Sequence, residues 1–174
     1  MSPLGGRLAL LLRGVNELLA KIEKVKRFYV AHFELPINAS IEQVWAMLTE
    51  NENLKNWFPE LSVEELQKGS HILFDMGNGH FEKFKILDLK MNSALEFTWG
   101  EDIVRFELYP EADGCTLVLN EKIKRITNHT PRDLAGWHVC LDVVKALVEG
   151  TEVGSREESW KKVVIEYVRA IEKL

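Results

Sequence analysis

Between Leu61 and Lys124 the sequence alternates short strand-like runs with turn residues, and this stretch limits the possible folds more than any other. Ser62–Leu66, His71–Met76, His80–Leu89, Ala94–Trp99, Ile103–Tyr109 and Cys115–Lys124 are rich in β-branched and aromatic residues. Lys68-Gly69, Gly77-Asn78-Gly79, Met91-Asn92-Ser93, Gly100-Glu101-Asp102 and Asp113-Gly114 separate them as turn signals. A parallel crossover consumes a dozen residues or more, so strands this closely spaced pair antiparallel with their neighbours in sequence. An antiparallel meander is predicted. Phe28–Leu35 adds an earlier strand, which Pro36 ends because proline has no N–H to give to a ladder. The total comes to about seven strands, and a sheet of that size must cover one face with helices.

The helices are legible from their ends. Ser40 followed by Gln43 has the spacing of a capping box, and Ile41, Val44, Trp45 and Leu48 then fall on one helical face. A short second helix is expected over Glu52–Trp57, stopped by Pro59. Thr130 is placed as an N-cap, with Pro131 at the first helical position and Asp133 in the first turn. That helix runs to about Val148 and stops at Gly150. Ser155 and Glu158 repeat the capping-box spacing. The final helix carries a broad stripe of Trp160, Val163, Val164, Tyr167, Val168 and Ile171, with the length to lie across the sheet. The fold class is therefore α+β.

The 174 residues fit one domain, read as residues 27–174, preceded by an extension at 1–26. In the extension, Leu11, Val15, Leu18, Leu19 and Ile22 follow a helical spacing from about Val15 and lead into basic Lys21, Lys24, Lys26 and Arg27. Such a helix is either a partner or dimer contact or a loosely docked extension. The apolar run Leu8–Leu12 is far short of the ~20 residues of a membrane span. It also lacks the cleavage site of a secretory signal.

Charge narrows the partners. Lysine plus arginine is 22 against 27 for aspartate plus glutamate, a net charge of -5, so neither nucleic acid nor an anionic membrane surface is an expected partner. Cys115 and Cys140 are the only cysteines, read as two small buried residues in a reducing cytoplasm. His138 and Asp142 share a helix face, but no second histidine stands near them, so no metal and no cofactor is expected. No serine sits in a nucleophile elbow, and no glycine pattern fits a phosphate loop.

A curved sheet around one long helix tends to leave an apolar space of ligand size, ~300–1,000 Å³. Trp57, Phe58, Phe74, Phe84, Phe97, Trp99, Phe106, Trp137 and Trp160 supply rings for it. They either fill the core or line a cavity, and the sequence alone leaves both open. As lining, the reading selects Trp57, Phe74, Phe84, Trp99, Trp137 and Trp160.

The segment FELPINASIEQVWAMLTENENLKNWF resembles the opening of START-like (SRPBCC) helix-grip domains. AGWHVCLDVVKALVEG, with the later Trp160 helix, resembles the bacterial branch named after the activator of the heat-shock protein ninety ATPase. The resemblance covers about Arg27 to Leu174 and is silent on the first 26 residues. It implies a helix-grip fold, a curved antiparallel sheet wrapped around a long C-terminal helix. It also implies a hydrophobic cavity that binds a small apolar or amphipathic molecule, in a family with a few cyclases and hydrolases. The leading expectation is non-enzymatic ligand binding. One alternative is a co-chaperone-like protein that stimulates a chaperone ATPase or self-associates. Another is an enzyme using Glu82, on a strand face with Phe84 and Ile86, or His138.

Overall fold

The computed structural model describes residues 19–174. Its strands are β1 (Lys21–Val25), β2 (Phe28–Ile37), β3 (Leu61–Val63), β4 (His71–Gly77), β5 (His80–Lys90), β6 (Ala94–Trp99), β7 (Asp102–Glu111) and β8 (Gly114–Ile123). The helices are α1 (Ile41–Thr49), α2 (Asn51–Leu54), α3 (Thr130–Glu149) and α4 (Arg156–Glu172). All eight strands form one antiparallel sheet in the order β1-β2-β8-β7-β6-β5-β4-β3. The meander from β3 to β8 follows the turn signals, and β2 closes on β8, pairing Tyr29 with Ile123 and Ile37 with Cys115.

The eighth strand is a correction. The helical pattern expected through Ile22 gives way to β1, which pairs with β2 from Lys21↔His32 to Val25↔Phe28. Lys26 and Arg27 form a two-residue connection with Lys26 at φ 57°, the backbone that hairpin turns require. The open edge of β2 outweighs the local helical spacing. The sheet thus takes in residues on the far side of the expected boundary at 26/27, and Leu19 and Ile22 pack against the core. Leu11, Val15 and Leu18 of that expectation lie outside the described residues.

The Ser40 capping box is complete: Gln43 N–H donates to Ser40 Oγ at 3.2 Å, and Ser40 N–H donates to Gln43 Oε1 at 3.1 Å. At α4, Ser155 Oγ accepts from Glu158 N–H at 3.3 Å. Thr130 does not cap α3. His129 occupies the N-cap position without a side-chain bond, while Thr130 Oγ1 accepts from Thr127 N–H at 2.9 Å and closes the preceding turn. Gly150, at φ 71°, ends α3 in the left-handed conformation that favours glycine.

The fold is an α+β helix grip, and α3 is the more deeply buried of its two long helices. It buries Leu134, Ala135, Trp137, His138, Val139, Cys140, Leu141, Val143 and Val144, against only Val163 and Tyr167 in α4. The final helix still reaches the sheet, where Tyr167 meets Phe33 of β2 at 6.3 Å between ring centroids. It crosses over α3, with Trp160 Nε1 donating to Arg132 O at 3.3 Å and Tyr167 reaching His138. Buried Phe33, Leu35, Phe97, Leu95, Phe106, Leu117 and Leu119 share the inner face of the sheet, where Phe106 meets Trp137 of α3 and Phe33 meets Tyr167 of α4.

Candidate functional site

A cavity of about 730 Å³ opens where α3, the start of α4, the loop after α2 and strands β4 and β6 meet. Strand parity turns Phe74 and Trp99 to the concave face of the sheet. The first turns of α3 bring Arg132, Asp133, Gly136, Trp137 and Cys140 to the other side. The loop contributes Trp57, Phe58, Pro59 and Glu60, and α4 contributes Arg156, Glu157 and Trp160. Gly136 leaves open space where a side chain would stand.

The rings hold one another in tilted and edge-on contacts. Trp99 and Trp137 have centroids 5.0 Å apart, Phe58 and Trp137 5.7 Å, Phe58 and Trp99 5.9 Å, and Phe58 and Phe74 6.0 Å. Trp57 is buried, and its Nε1 donates to Met47 O at 2.8 Å, which fixes the ring. This geometry suits aromatic packing, with rings offset or at right angles. The result is a rigid apolar floor under an open mouth.

Of the six rings chosen from sequence, Trp57, Phe74, Trp99, Trp137 and Trp160 border this space. Phe84 does not. It is buried behind the wall, 4.9 Å from Trp99 and 6.3 Å from Phe74 between centroids. Phe58 is the hub the selection omitted, touching Trp57, Phe74, Trp99 and Trp137. Its only sequence signal is its place beside Trp57 ahead of Pro59. Arg132 and Arg156 carry no motif and were not foreseen.

The acid/base candidates fall outside the cavity. Glu82 shares the inward parity of Phe84, but it lies out along β5 where the strand leaves the core, and it is exposed. His138 is buried, and burial pushes its pKa down to about 4, so the ring is neutral near pH 7. Its Nδ1 is hydrogen-bonded to the Tyr167 hydroxyl at 2.9 Å, and its Nε2 lies 3.7 Å from Asp142 Oδ2. Cys140 borders the cavity, yet burial drives its thiol up to about 11 and removes the thiolate a nucleophile needs. Both cysteines are buried and free. Arg105 lies 3.6 Å from Glu107, 2.9 Å from Asp88 and 3.7 Å from Glu96 in a network on the sheet.

Among the described residues, no three of His, Cys, Asp and Glu converge on a metal position. No described helix is long and apolar enough to cross a membrane.

A family model described as Activator of Hsp90 ATPase homolog 1-like protein matches residues 38–149, from the end of β2 through α3. No curated protein matches the sequence at a significant level. Among solved structures, the chain is similar to a conserved protein of unknown function, EF2215, from Enterococcus faecalis. That likeness has 26% identity and a TM-score of 0.83, covering 95% of this chain and 97% of that one. CalU16 from Micromonospora echinospora is similar at 16% identity and a TM-score of 0.67, covering 86% and 94%. A structure described as the Aha1 dimer from Colwellia psychrerythraea is similar at 22% identity and a TM-score of 0.61, covering 69% and 96%.

Proposed function

The chain belongs to the Activator of Hsp90 ATPase homolog 1-like family, and from that premise we propose that it binds a small hydrophobic or amphipathic molecule in the aromatic cavity, without catalysis. The observation that carries this reading is the cavity of about 730 Å³ with Trp57, Phe58, Phe74, Trp99, Trp137 and Trp160 on its walls. Its volume falls in the ~300–1,000 Å³ range of small-molecule sites. Apolar surface leaving water contributes about 25 cal/mol per Å², and rigid rings lose little entropy when a ligand docks. The proposed setting is the cytoplasm.

Catalysis finds little support. A general acid or base must reach the reacting atoms, and neither Glu82 nor His138 borders the cavity. A co-chaperone-like role is supported by the family description alone. ATP turnover by the cognate bacterial chaperone, with and without this protein, tests it.

Four of the five tryptophans border the cavity, so intrinsic fluorescence reports on its contents. Titration with the neutral probe 4-(1-pyrenyl)butanol should quench that emission saturably, with energy transferred to the pyrene. Comparison of native and denatured mass should also show any molecule carried through gentle purification. A linear response to the probe together with identical masses would remove the reading.

A further inference from the structure

Resting on that reading of the cavity, we propose that the ligand is an amphiphile with an anionic head, a carboxylate above all, and that Arg156 at the cavity mouth receives it.

Arg156 opens α4, and nothing in helix formation asks for a cation there. The first turn of a helix carries partial positive charge and favours acidic residues, which Glu157 and Glu158 supply. Its guanidinium instead folds back over the cavity wall. Nη1 donates to Trp57 O at 3.0 Å and Nη2 approaches Cys140 Sγ at 3.3 Å. Both partners are uncharged: one is a carbonyl, the other a thiol that burial keeps protonated. Among the described residues Arg156 forms no ion pair. Arg105, Arg125 and Arg169 each have a carboxylate, on Asp88, Glu101 and Glu166.

The consequence is a pinned cation, without an ion pair among the described residues, at the edge of an aromatic floor. Guanidinium has five N–H donors in a planar fork, and the two contacts leave others for a carboxylate. Because the side chain is already tethered, little further freedom is lost when it grips a ligand. Arg132, from the first turn of α3, borders the same mouth and is likewise without an ion pair among the described residues. Glu60, Asp133 and Glu157 also reach the rim, and none of them pairs with Arg156 among the described residues. The charge that hydrogen bonds hold against the wall is that of Arg156.

The test uses the full chain and three probes with one pyrenyl tail: 4-(1-pyrenyl)butyrate, 4-(1-pyrenyl)butanol and 4-(1-pyrenyl)butyl-trimethylammonium. Tryptophan quenching gives each Kd. The butyrate should bind about tenfold more tightly than the alcohol, as a hydrogen bond to a charged group allows. In Arg156→Gln that preference should vanish, the butyrate and the alcohol binding equally, while saturable quenching by the alcohol shows that the cavity persists. If that variant fails to fold, Arg156→Lys serves instead, and the preference should shrink as the planar fork is lost. Equal affinities in the unmodified protein overturn the proposal and leave the cavity reading standing. So does a preference that survives Arg156→Gln, or tightest binding by the ammonium probe. Failure of all three probes to bind removes the cavity reading, and the proposal with it.

Discussion

His138 Nδ1 and the Tyr167 hydroxyl lie 2.9 Å apart in the buried seam where α4 crosses α3. The same hydroxyl oxygen accepts the N–H of Ala20 at 3.0 Å, just ahead of β1. One side chain thus ties the last helix to α3 and to the start of the sheet. Its oxygen accepts the Ala20 hydrogen and shares a hydrogen bond with Nδ1, while Nε2 lies 3.7 Å from Asp142 Oδ2. Tyr167→Phe keeps the ring against Phe33 but leaves the Ala20 N–H and His138 Nδ1 without partners. Urea unfolding should show a loss of about 1–3 kcal/mol, the cost of unsatisfied buried groups. An unchanged midpoint would mean that the seam is held by ring packing alone.

Glu121 should make the protein less stable as pH rises. It lies on the inner face of β8 between Ala31 and Val104, is 2% exposed, and has no hydrogen-bond partner for Oε2. Burial first, then the charges of Asp102 and Asp133, raises its pKa from 4.5 to about 8. The folded state therefore keeps a proton that the unfolded chain releases. This contribution to stability is complete below about pH 4.5 and is lost as pH climbs through about 8. Glu121→Gln mimics the protonated form and should flatten that slope. Denaturation of both proteins at pH 5 and pH 8 checks it, and parallel slopes would rule Glu121 out as the source.

Trp160 and Trp137 should separate binding from stability. Trp160 is half-buried at the cavity mouth, whereas Trp137 is 3% exposed in the core. Trp160→Ala should weaken the neutral pyrenyl probe about tenfold through lost ring contact, with little change in unfolding. Trp137→Ala should cost about 3–5 kcal/mol of stability as a large core deletion. If neither Trp160→Ala nor Trp99→Ala shifts the probe's Kd, these rings do not line a binding site.

Gly114 allows β2 and the β7–β8 turn to approach. A Cβ there would strike Ile37 O and crowd Asn38 Cα and Ala39 N. These are backbone atoms that cannot swing aside. Gly114→Ala should destabilise the fold by about 1–3 kcal/mol, read as a lower thermal midpoint. A neutral result would show that the end of β2 shifts freely.

The meander was legible because its turns announce themselves: Gly77-Asn78-Gly79 and Asp113-Gly114 connect paired strands as their residue types imply. The deeper burial of α3 was not legible for a physical reason. The stripe on α4 is conspicuous because its other face meets water, while α3 is buried on several sides and so shows little contrast between faces. The better amphipath is the outer helix. In the site, ring type alone pointed to Phe74 and Trp99, which strand parity turns inward, but ring type does not give depth, and Phe84 ends up behind them. Arg156 left no trace in the sequence, because its role depends on a carbonyl and a thiol brought to it from distant segments.

Closure of β2 on β8 sets an order of events during folding. The hairpins from β3 to β8 join residues close in the chain and can form early, whereas pairing Tyr29 with Ile123 must close a loop that contains the whole meander. Such distant contacts bear the loop-closure entropy before any ladder bond repays it. Until β2 docks, β8 presents a bare edge of Leu117, Leu119 and Ile123, all buried in the finished sheet. Refolding is then expected to wait on the arrival of the N-terminal hairpin, with the bare edge of β8 open to another molecule until it comes.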